Sequence, residues 1–230
     1  MKKEELVVEN PPQPTTEKKY SRALRIWHWV NTMLICGSLI TVLINSTLLD
    51  RDNSSIVQTE LQQAGTTVSP VQAASVLHGM EDQVWDFHIY FGYAIATLLV
   101  FRLITEIYAS PKRRLFKKVK FSYNDYFILK KNREIARHDF FVKSLYLIFY
   151  ALITVMAITG LLLAFKHSIG IPESISHSIK EVHGFCMYLI LGFIVLHLAG
   201  VLLSERKEGK GIVSDMINGG KEVANDNEQL

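Results

Sequence analysis

Cysteine is scarce in this sequence. The chain contains two cysteines, Cys36 and Cys186, and neither belongs to a CxxC or CxxCH motif. Structural zinc sites, iron–sulfur clusters and covalently attached c-type haem all use cysteines at such close spacing. Both cysteines lie inside apolar stretches, where a thiol behaves as a small hydrophobic side chain. The sequence therefore argues against all three kinds of cysteine-held centre.

Charged side chains are scarce in four long stretches, although they make up 20% of the chain overall. The stretches are residues 26–49, 87–108, 140–165 and 179–203. Each is about as long as the roughly 20 apolar residues that an α-helix needs to cross a bilayer. The pattern predicts an all-α membrane protein built as a four-transmembrane-helix bundle.

The sequence lacks the features of a signal peptide. The first apolar stretch is too long for a signal-peptide core and has no small-residue cleavage site, so we expect it to remain as the first span. The predicted organisation is an N-terminal arm at residues 1–20, a four-helix domain at residues 21–205 and a tail at residues 206–230.

Lysine and arginine are nearly absent from two of the predicted connections. Residues 50–86 contain Arg51 alone, and residues 166–180, at the end of the third stretch and the start of the fourth, contain Lys166 and Lys180. Basic residues are concentrated instead before the first stretch, in residues 109–139 and in residues 206–210. Because basic residues favour the cytoplasmic side, both termini are predicted to be cytoplasmic. The membrane topology then explains the net charge of +3 without a nucleic-acid partner. The basic connection at residues 109–139 is expected to lie on anionic membrane lipid.

Two histidines, His183 and His197, lie within the fourth apolar stretch. Their spacing of 14 residues is close to four helical turns, so both rings leave the same helix face about 21 Å apart along the axis. One ring is therefore near each leaflet. A polar ring in lipid normally faces the bundle interior and has a partner there, and neutral imidazole is a good ligand for haem iron.

Two further histidines match these depths. His28, at the cytoplasmic end of the first stretch, is level with His197. His88, near the outer end of the second stretch, is level with His183. Taken alone, His28 could equally be an interfacial residue, because tryptophans flank it. As pairs, the four histidines would hold two non-covalent haem b groups through both axial positions, which leaves no open site for substrate and predicts electron transfer.

Three arginines are candidate cofactor contacts. Arg22 and Arg25 precede His28 and could pair with haem propionates at the membrane surface, or could be ordinary positive-inside anchors. Arg102 lies inside the second stretch, where it could contact a propionate or a quinone, or could extend to the nearby interface.

Two glycines lie beside predicted ligands. Gly92 follows His88 by one turn and Gly184 adjoins His183. They could leave room for a flat macrocycle, or could serve close helix packing.

The outer segment of residues 50–84 is unusually long for a connection between two membrane helices. It could dock a periplasmic partner or cover the mouth of the bundle, and Ser69 before Pro70 predicts a helix start within it.

The third stretch contains no histidine, aspartate or glutamate and is predicted to be a wall helix. Three of the remaining histidines are expected to face solvent: His78, His167 and His177. His138 lies at the membrane boundary and is left unassigned.

Three motifs resemble the bacterial cytochrome b561 family, especially the b-type cytochrome subunits of membrane-bound nickel–iron hydrogenases. They are RIWHWVN in the first stretch, WDFHIYFGY with a later Arg102 in the second, and EVHGFCMYLILGFIVLHL in the fourth. The resemblance covers about residues 21–220. It implies a multi-pass protein of the bacterial inner membrane that passes electrons between a periplasmic redox subunit, such as a hydrogenase small subunit, and the quinone pool.

The resemblance also implies the site residues. The haem ligands would be His28, His88, His183 and His197. Apart from the resemblance, we expect quinone near the inner haem, among Arg22, Arg25 and Arg102. A second interpretation is a stand-alone quinol oxidoreductase that reduces a soluble cytochrome or superoxide. A third is a non-redox structural protein, which would be colourless. A catalytic site is not expected, because no serine, cysteine or carboxylate accompanies a histidine inside the spans.

Overall fold

The structure is a computed structural model that describes residues 20–108, 115–129, 133–207 and 211–220. Every regular element in these residues is helical, and none is a strand. Most of the predicted N-terminal arm, part of the basic connection and the end of the tail lie outside the described residues, as does the side chain of His138. Predictions made for them stay predictions.

Helices make up most of the described chain. In chain order the α-helices are α1 (Arg22–Thr47), α2 (Ser54–Gln63), α3 (Pro70–Tyr108), α4 (Leu115–Tyr123), α5 (Arg133–Ala164), α6 (Lys166–Ile169), α7 (Glu173–Lys207) and α8 (Ile212–Asn218). Four segments are long and apolar enough to cross a membrane: Arg22–Thr47, Pro70–Tyr108, Phe140–Ala164 and Glu173–Arg206. The predicted four-span helical fold is confirmed for the described residues, whereas the orientation of the termini stays a prediction.

The second span belongs to a helix much longer than expected. α3 has 39 residues, or about 58 Å of length at 1.5 Å per residue, whereas a hydrocarbon core is about 30 Å thick. Gln72 N–H donates to Ser69 Oγ and Ser69 N–H donates to Gln72 Oε1, at 3.3 and 2.8 Å. This reciprocal capping starts the helix at Pro70, as the sequence predicts. No proline follows before residue 111, so the helix continues through the outer segment into the span.

The outer segment is folded against this extended helix. α2 packs on the outer part of α3, and Leu49, Ala73 and Leu77 are buried there. Gln58 Nε2 donates to the carbonyl of Val68 at 2.9 Å and ties the α2 helix to the connection that follows it. The segment is therefore an ordered helical layer, which is compatible with either a lid or a docking surface.

The interior of the membrane region is apolar and small. Leu99, Ile153 and Ile190, from α3, α5 and α7, form its buried cluster. Many large apolar side chains on the same helices are exposed in the isolated chain, for example Ile104 and Leu196. This distribution is expected for a membrane protein, because lipid tails cover the outer faces of the helices.

The chain forms two compact units whose boundaries fall after Ile26 and after Leu198. The larger unit contains all four histidines predicted as haem ligands. In the smaller unit, the Arg25 guanidinium donates to the carbonyl of Ile217, and Glu205 accepts the N–H of Gly211 at 2.7 Å. Part of the predicted tail is thus helical, and the predicted division into arm, membrane domain and tail stays a prediction.

Candidate functional site

Four histidines meet in two pairs inside the larger unit. The ring centres of His28 on α1 and His197 on α7 are 6.4 Å apart, with the ring planes at 54°. The ring centres of His88 on α3 and His183 on α7 are 6.3 Å apart, with the planes at 78°. We call these the inner and the outer pair. The structure brings together the residues that the sequence predicts as partners, and their role as ligands stays a prediction.

Both separations fit two imidazoles that bind one iron from opposite sides. Each imidazole nitrogen would lie about 2 Å from the iron, and the centre of its ring lies about 1.1 Å beyond that nitrogen. Two such rings on opposite sides of the iron have centres roughly 6 Å apart. In the part of the chain that the structure describes, no group of three or more His, Cys, Asp or Glu side chains could hold a metal ion alone. A site with two protein ligands suits a metal that brings its own equatorial ligands, as haem iron does.

The imidazole of His88 is held by the first span. Its Nδ1 lies 3.0 Å from Thr41 Oγ1 and 3.3 Å from the carbonyl oxygen of Ser38. The Ser38 hydroxyl is also 3.3 Å away. Trp85, one turn earlier on α3, contacts the ring edge-on with ring centres 5.3 Å apart. With Nδ1 engaged by α1, Nε2 is the nitrogen that remains for a metal.

The imidazole of His183 is held by the third span in the same way. Its Nδ1 lies 2.8 Å from Thr159 Oγ1. A Cβ placed on Gly160 would be 3.2 Å from Cε1 of the same ring. The interpretation of α5 as a wall helix was therefore incomplete, because α5 contacts the outer pair directly.

The inner pair is oriented by aromatic side chains. Phe193, one turn before His197 on α7, stacks on that ring with centres 5.9 Å apart and planes at 5°. Trp29 meets the His28 ring edge-on at 5.5 Å. Nδ1 of His28 is buried and has no hydrogen-bond partner among the described residues. The two pairs thus differ in what holds them: hydroxyls contact the Nδ1 atoms of both outer histidines, whereas aromatic side chains contact the rings of the inner pair.

Arg102 has partners within the protein. Its Nε donates to the Tyr150 hydroxyl at 3.3 Å, and its guanidinium carbon is 5.8 Å from the centre of the Trp27 ring. Nη2 is 3.6 Å from a carboxylate oxygen of Glu106. The charge is therefore balanced without a cofactor, and a contact with a propionate or a quinone stays a prediction.

The other two arginines belong to the smaller unit. Arg22 is exposed, whereas Arg25 is partly buried and binds the Ile217 carbonyl. The Arg25 Nε is buried without a partner among the residues that the structure describes. Their predicted pairing with propionates rests on the sequence alone.

Comparison with known families gives a result that agrees with this geometry. The model of the family described as prokaryotic cytochrome b561 matches residues 19–219 of the chain. The protein belongs to the prokaryotic cytochrome b561 family. No curated protein and no solved structure matches it. The family identifies a multi-pass membrane b-type cytochrome that binds haem b and transfers electrons, which argues against the non-redox interpretation.

The two glycines predicted to make room in this cytochrome lie beside open space. A Cβ on Gly92 or Gly184 would meet no described atom within 4 Å. Protein packing therefore does not explain either glycine. The open space beside each glycine could hold a cofactor or lipid. The assignment of Gly92 and Gly184 to the haem site therefore stays a prediction.

Four residues around the outer pair escaped the sequence analysis: Ser38, Thr41, Thr159 and Gly160. The available signal was the presence of hydroxyl residues in apolar stretches at the depth of His88 and His183. That signal is weak, because a threonine in a membrane helix commonly bonds its own backbone. Only the rotation of α1 and α5 about their axes shows which hydroxyl faces an imidazole.

Proposed function

We propose that this cytochrome holds two haem b groups and conducts electrons across the membrane between a periplasmic redox partner and the quinone pool. The observation that carries the proposal is the pair of imidazole couples, with ring centres 6.4 and 6.3 Å apart. His28 and His197 would hold the inner haem, and His88 and His183 the outer one. A family that uses haem b and a chain that offers two matched couples together support two groups per chain.

The residues of the chain determine what such sites can do. Two histidines would hold each haem and leave no protein-side position for a substrate, and the bound group would supply single-electron transfer. α7 supplies one ligand to each couple, at positions about 21 Å apart along a continuous helix, and so maintains the spacing between the couples. Apolar side chains such as Leu99 and Ile190 pack between the helices in the interior and exclude water.

We further propose that the periplasmic redox partner is a nickel–iron hydrogenase and that the protein lies in the bacterial inner membrane with both termini in the cytoplasm. The three motifs that resemble hydrogenase cytochrome subunits support the partner, and the distribution of basic residues supports the topology. The ordered outer layer of α2 and the first half of α3 would be the surface that meets the partner. Quinone would be used at the opposite side, near the inner couple, with membrane lipid around the spans.

The number of haem groups per chain tests the proposal. We expect the purified protein to give two haem b per chain in a pyridine haemochrome assay. Replacing His88 or His183 with alanine is expected to remove one haem, and replacing His28 or His197 is expected to remove the other, because a lost axial ligand leaves an iron with one protein bond.

His177→Ala is the matched control on the same helix. His177 is exposed on α7 and lies 3.6 Å from Glu181, away from either couple, so this variant should keep both haem groups. A count of two in any of the four ligand variants, or a count below two in the unmodified protein, would contradict the proposal. Hydrogenase genes beside the gene would support the proposed partner, and an isolated gene would favour the stand-alone oxidoreductase.

A further inference from the structure

The two outer histidines are bound by the same local arrangement on two different helices. His88 meets the carbonyl of Ser38 and the hydroxyl of Thr41 on α1. His183 meets the hydroxyl of Thr159 on α5, 2.8 Å from its Nδ1. In both cases a threonine hydroxyl of a neighbouring span faces the Nδ1 of the ring.

The hydroxyl protons decide which group donates. Thr41 Oγ1 lies 2.6 Å from the carbonyl of Ser38, and Thr159 Oγ1 lies 2.7 Å from the carbonyl of Val155. A hydroxyl has one proton, and a carbonyl can only accept. Because each threonine donates its proton to the backbone of its own helix, its oxygen must accept from the imidazole. Nδ1 of each outer histidine therefore carries the hydrogen.

We propose that Thr41 and Thr159 are positioning residues that hold His88 and His183 in the tautomer with hydrogen on Nδ1 and make Nε2 the stronger electron donor. The inference rests on the proposed function, in which both rings bind the outer haem. A hydrogen bond donated from the distal nitrogen orients the ring and increases the basicity of the ligating nitrogen. Stronger donation stabilises the oxidised iron and lowers the reduction potential of the outer haem.

Burial makes these hydrogen bonds effective. Thr41 is 6% exposed and Thr159 is 8% exposed, so water does not replace either hydroxyl. The inner couple has no counterpart at His28, whose buried Nδ1 lacks a partner within the described ranges. The influence of the threonines is therefore confined to the outer couple.

The test replaces each threonine with valine, which has the same shape without the hydroxyl. We expect Thr41→Val and Thr159→Val to raise the midpoint potential of the outer haem and to weaken its retention by about 10-fold or more. Thr41→Ser and Thr159→Ser should restore both properties, since serine keeps the acceptor oxygen. Measuring the potential in an otherwise unchanged His197→Ala background isolates the outer haem.

Two threonines in the same helices provide matched controls. Thr47 on α1 donates to the carbonyl of Leu43 at 2.6 Å, and Thr154 on α5 donates to the carbonyl of Tyr150 at 2.7 Å. Neither hydroxyl hydrogen-bonds a histidine among the described residues, so Thr47→Val and Thr154→Val should leave the potential unchanged. A merely structural effect would appear in these controls as well.

The outcomes separate the inference from the proposed function. If alanine at His88 or His183 removes a haem but valine at Thr41 and Thr159 leaves the potential and the retention unchanged, the positioning role is refuted and the haem assignment stands. If alanine at either histidine leaves two haem groups, the proposed function itself fails. The role of the hydroxyl would also be overturned if the valine variants raised the midpoint potential of the outer haem and the serine variants raised it equally.

Discussion

Gly160→Ala should weaken the outer haem site without unfolding the protein. A Cβ at this position would lie 3.2 Å from Cε1 of His183, whereas carbon atoms pack best at about 3.5–4.0 Å. The ring or the helix must therefore retreat by roughly 0.3 Å or more. Ligand distances in metal sites lie within about 0.2 Å of their preferred values, so a retreat of this size would strain the bond from His183 in the proposed haem site.

The ring has little freedom to retreat. Thr159 Oγ1 holds its Nδ1 at 2.8 Å, and in the proposed site iron holds Nε2, so Cε1 lies between two restrained atoms. Helix propensity acts in the opposite direction, because alanine in place of glycine stabilises a helix by about 0.5–1 kcal/mol. We therefore expect a folded variant whose haem retention at the outer site falls about 10-fold, the lower end of the range for a disturbed ligand shell.

The assay is the haem-to-protein ratio after gel filtration in detergent, together with the thermal unfolding midpoint. Gly79→Ala on α3 is the control, because a Cβ there meets no described atom within 4 Å. The control should keep two haem groups and gain slightly in stability. If Gly160→Ala retained two haem groups and an unchanged outer midpoint potential, the close approach of α5 to the ligand would have no functional consequence and the reasoning would be refuted.

Two further predictions concern the cofactor space and the topology. Gly92→Leu should lower the haem content if a macrocycle occupies the open space beside His88. Gly79→Leu is the control and should keep the haem content, because a Cβ at Gly79 also meets no described atom within 4 Å. Equal haem counts in the two variants would show that Gly92 does not belong to the haem site. Alkaline phosphatase inserted at Gly65, a turn residue with φ of 86°, should be active, and a green fluorescent protein fused to the C-terminus should fluoresce. An inactive phosphatase at Gly65 would reverse the proposed orientation.

The membrane fold and the histidine couples were predictable from the sequence, because both follow from distances along a helix. An apolar stretch must match the bilayer thickness, and a residue number within that stretch gives a depth. His28 and His197 could therefore be matched, and so could His88 and His183, without any knowledge of which helices are neighbours. The helix start at Pro70 was also predictable, since Ser69 is a typical N-cap and proline suits the first helical position. The structure adds Gln72 as the reciprocal capping partner.

Other features required the packed structure. The apolar character of residues 87–108 indicated where a span begins, but it could not show that α3 continues outward as far as Pro70. The sequence of α5 contains no histidine or carboxylate in its apolar stretch, which is why its contact with the outer couple was missed. Thr159 and Gly160 contact His183 because α5 lies beside α7 and is rotated so that these two residues face it.

The sequence by itself determined the number of spans, the position of each imidazole along its span and the membership of the cytochrome b561 family. Tertiary structure alone decided which faces of the helices meet, and with them the hydrogen bonds between His88 and α1 and between His183 and α5. The physical reason is that hydrophobicity and length specify position along the membrane normal, whereas rotation about a helix axis is set by side-chain packing between neighbouring helices.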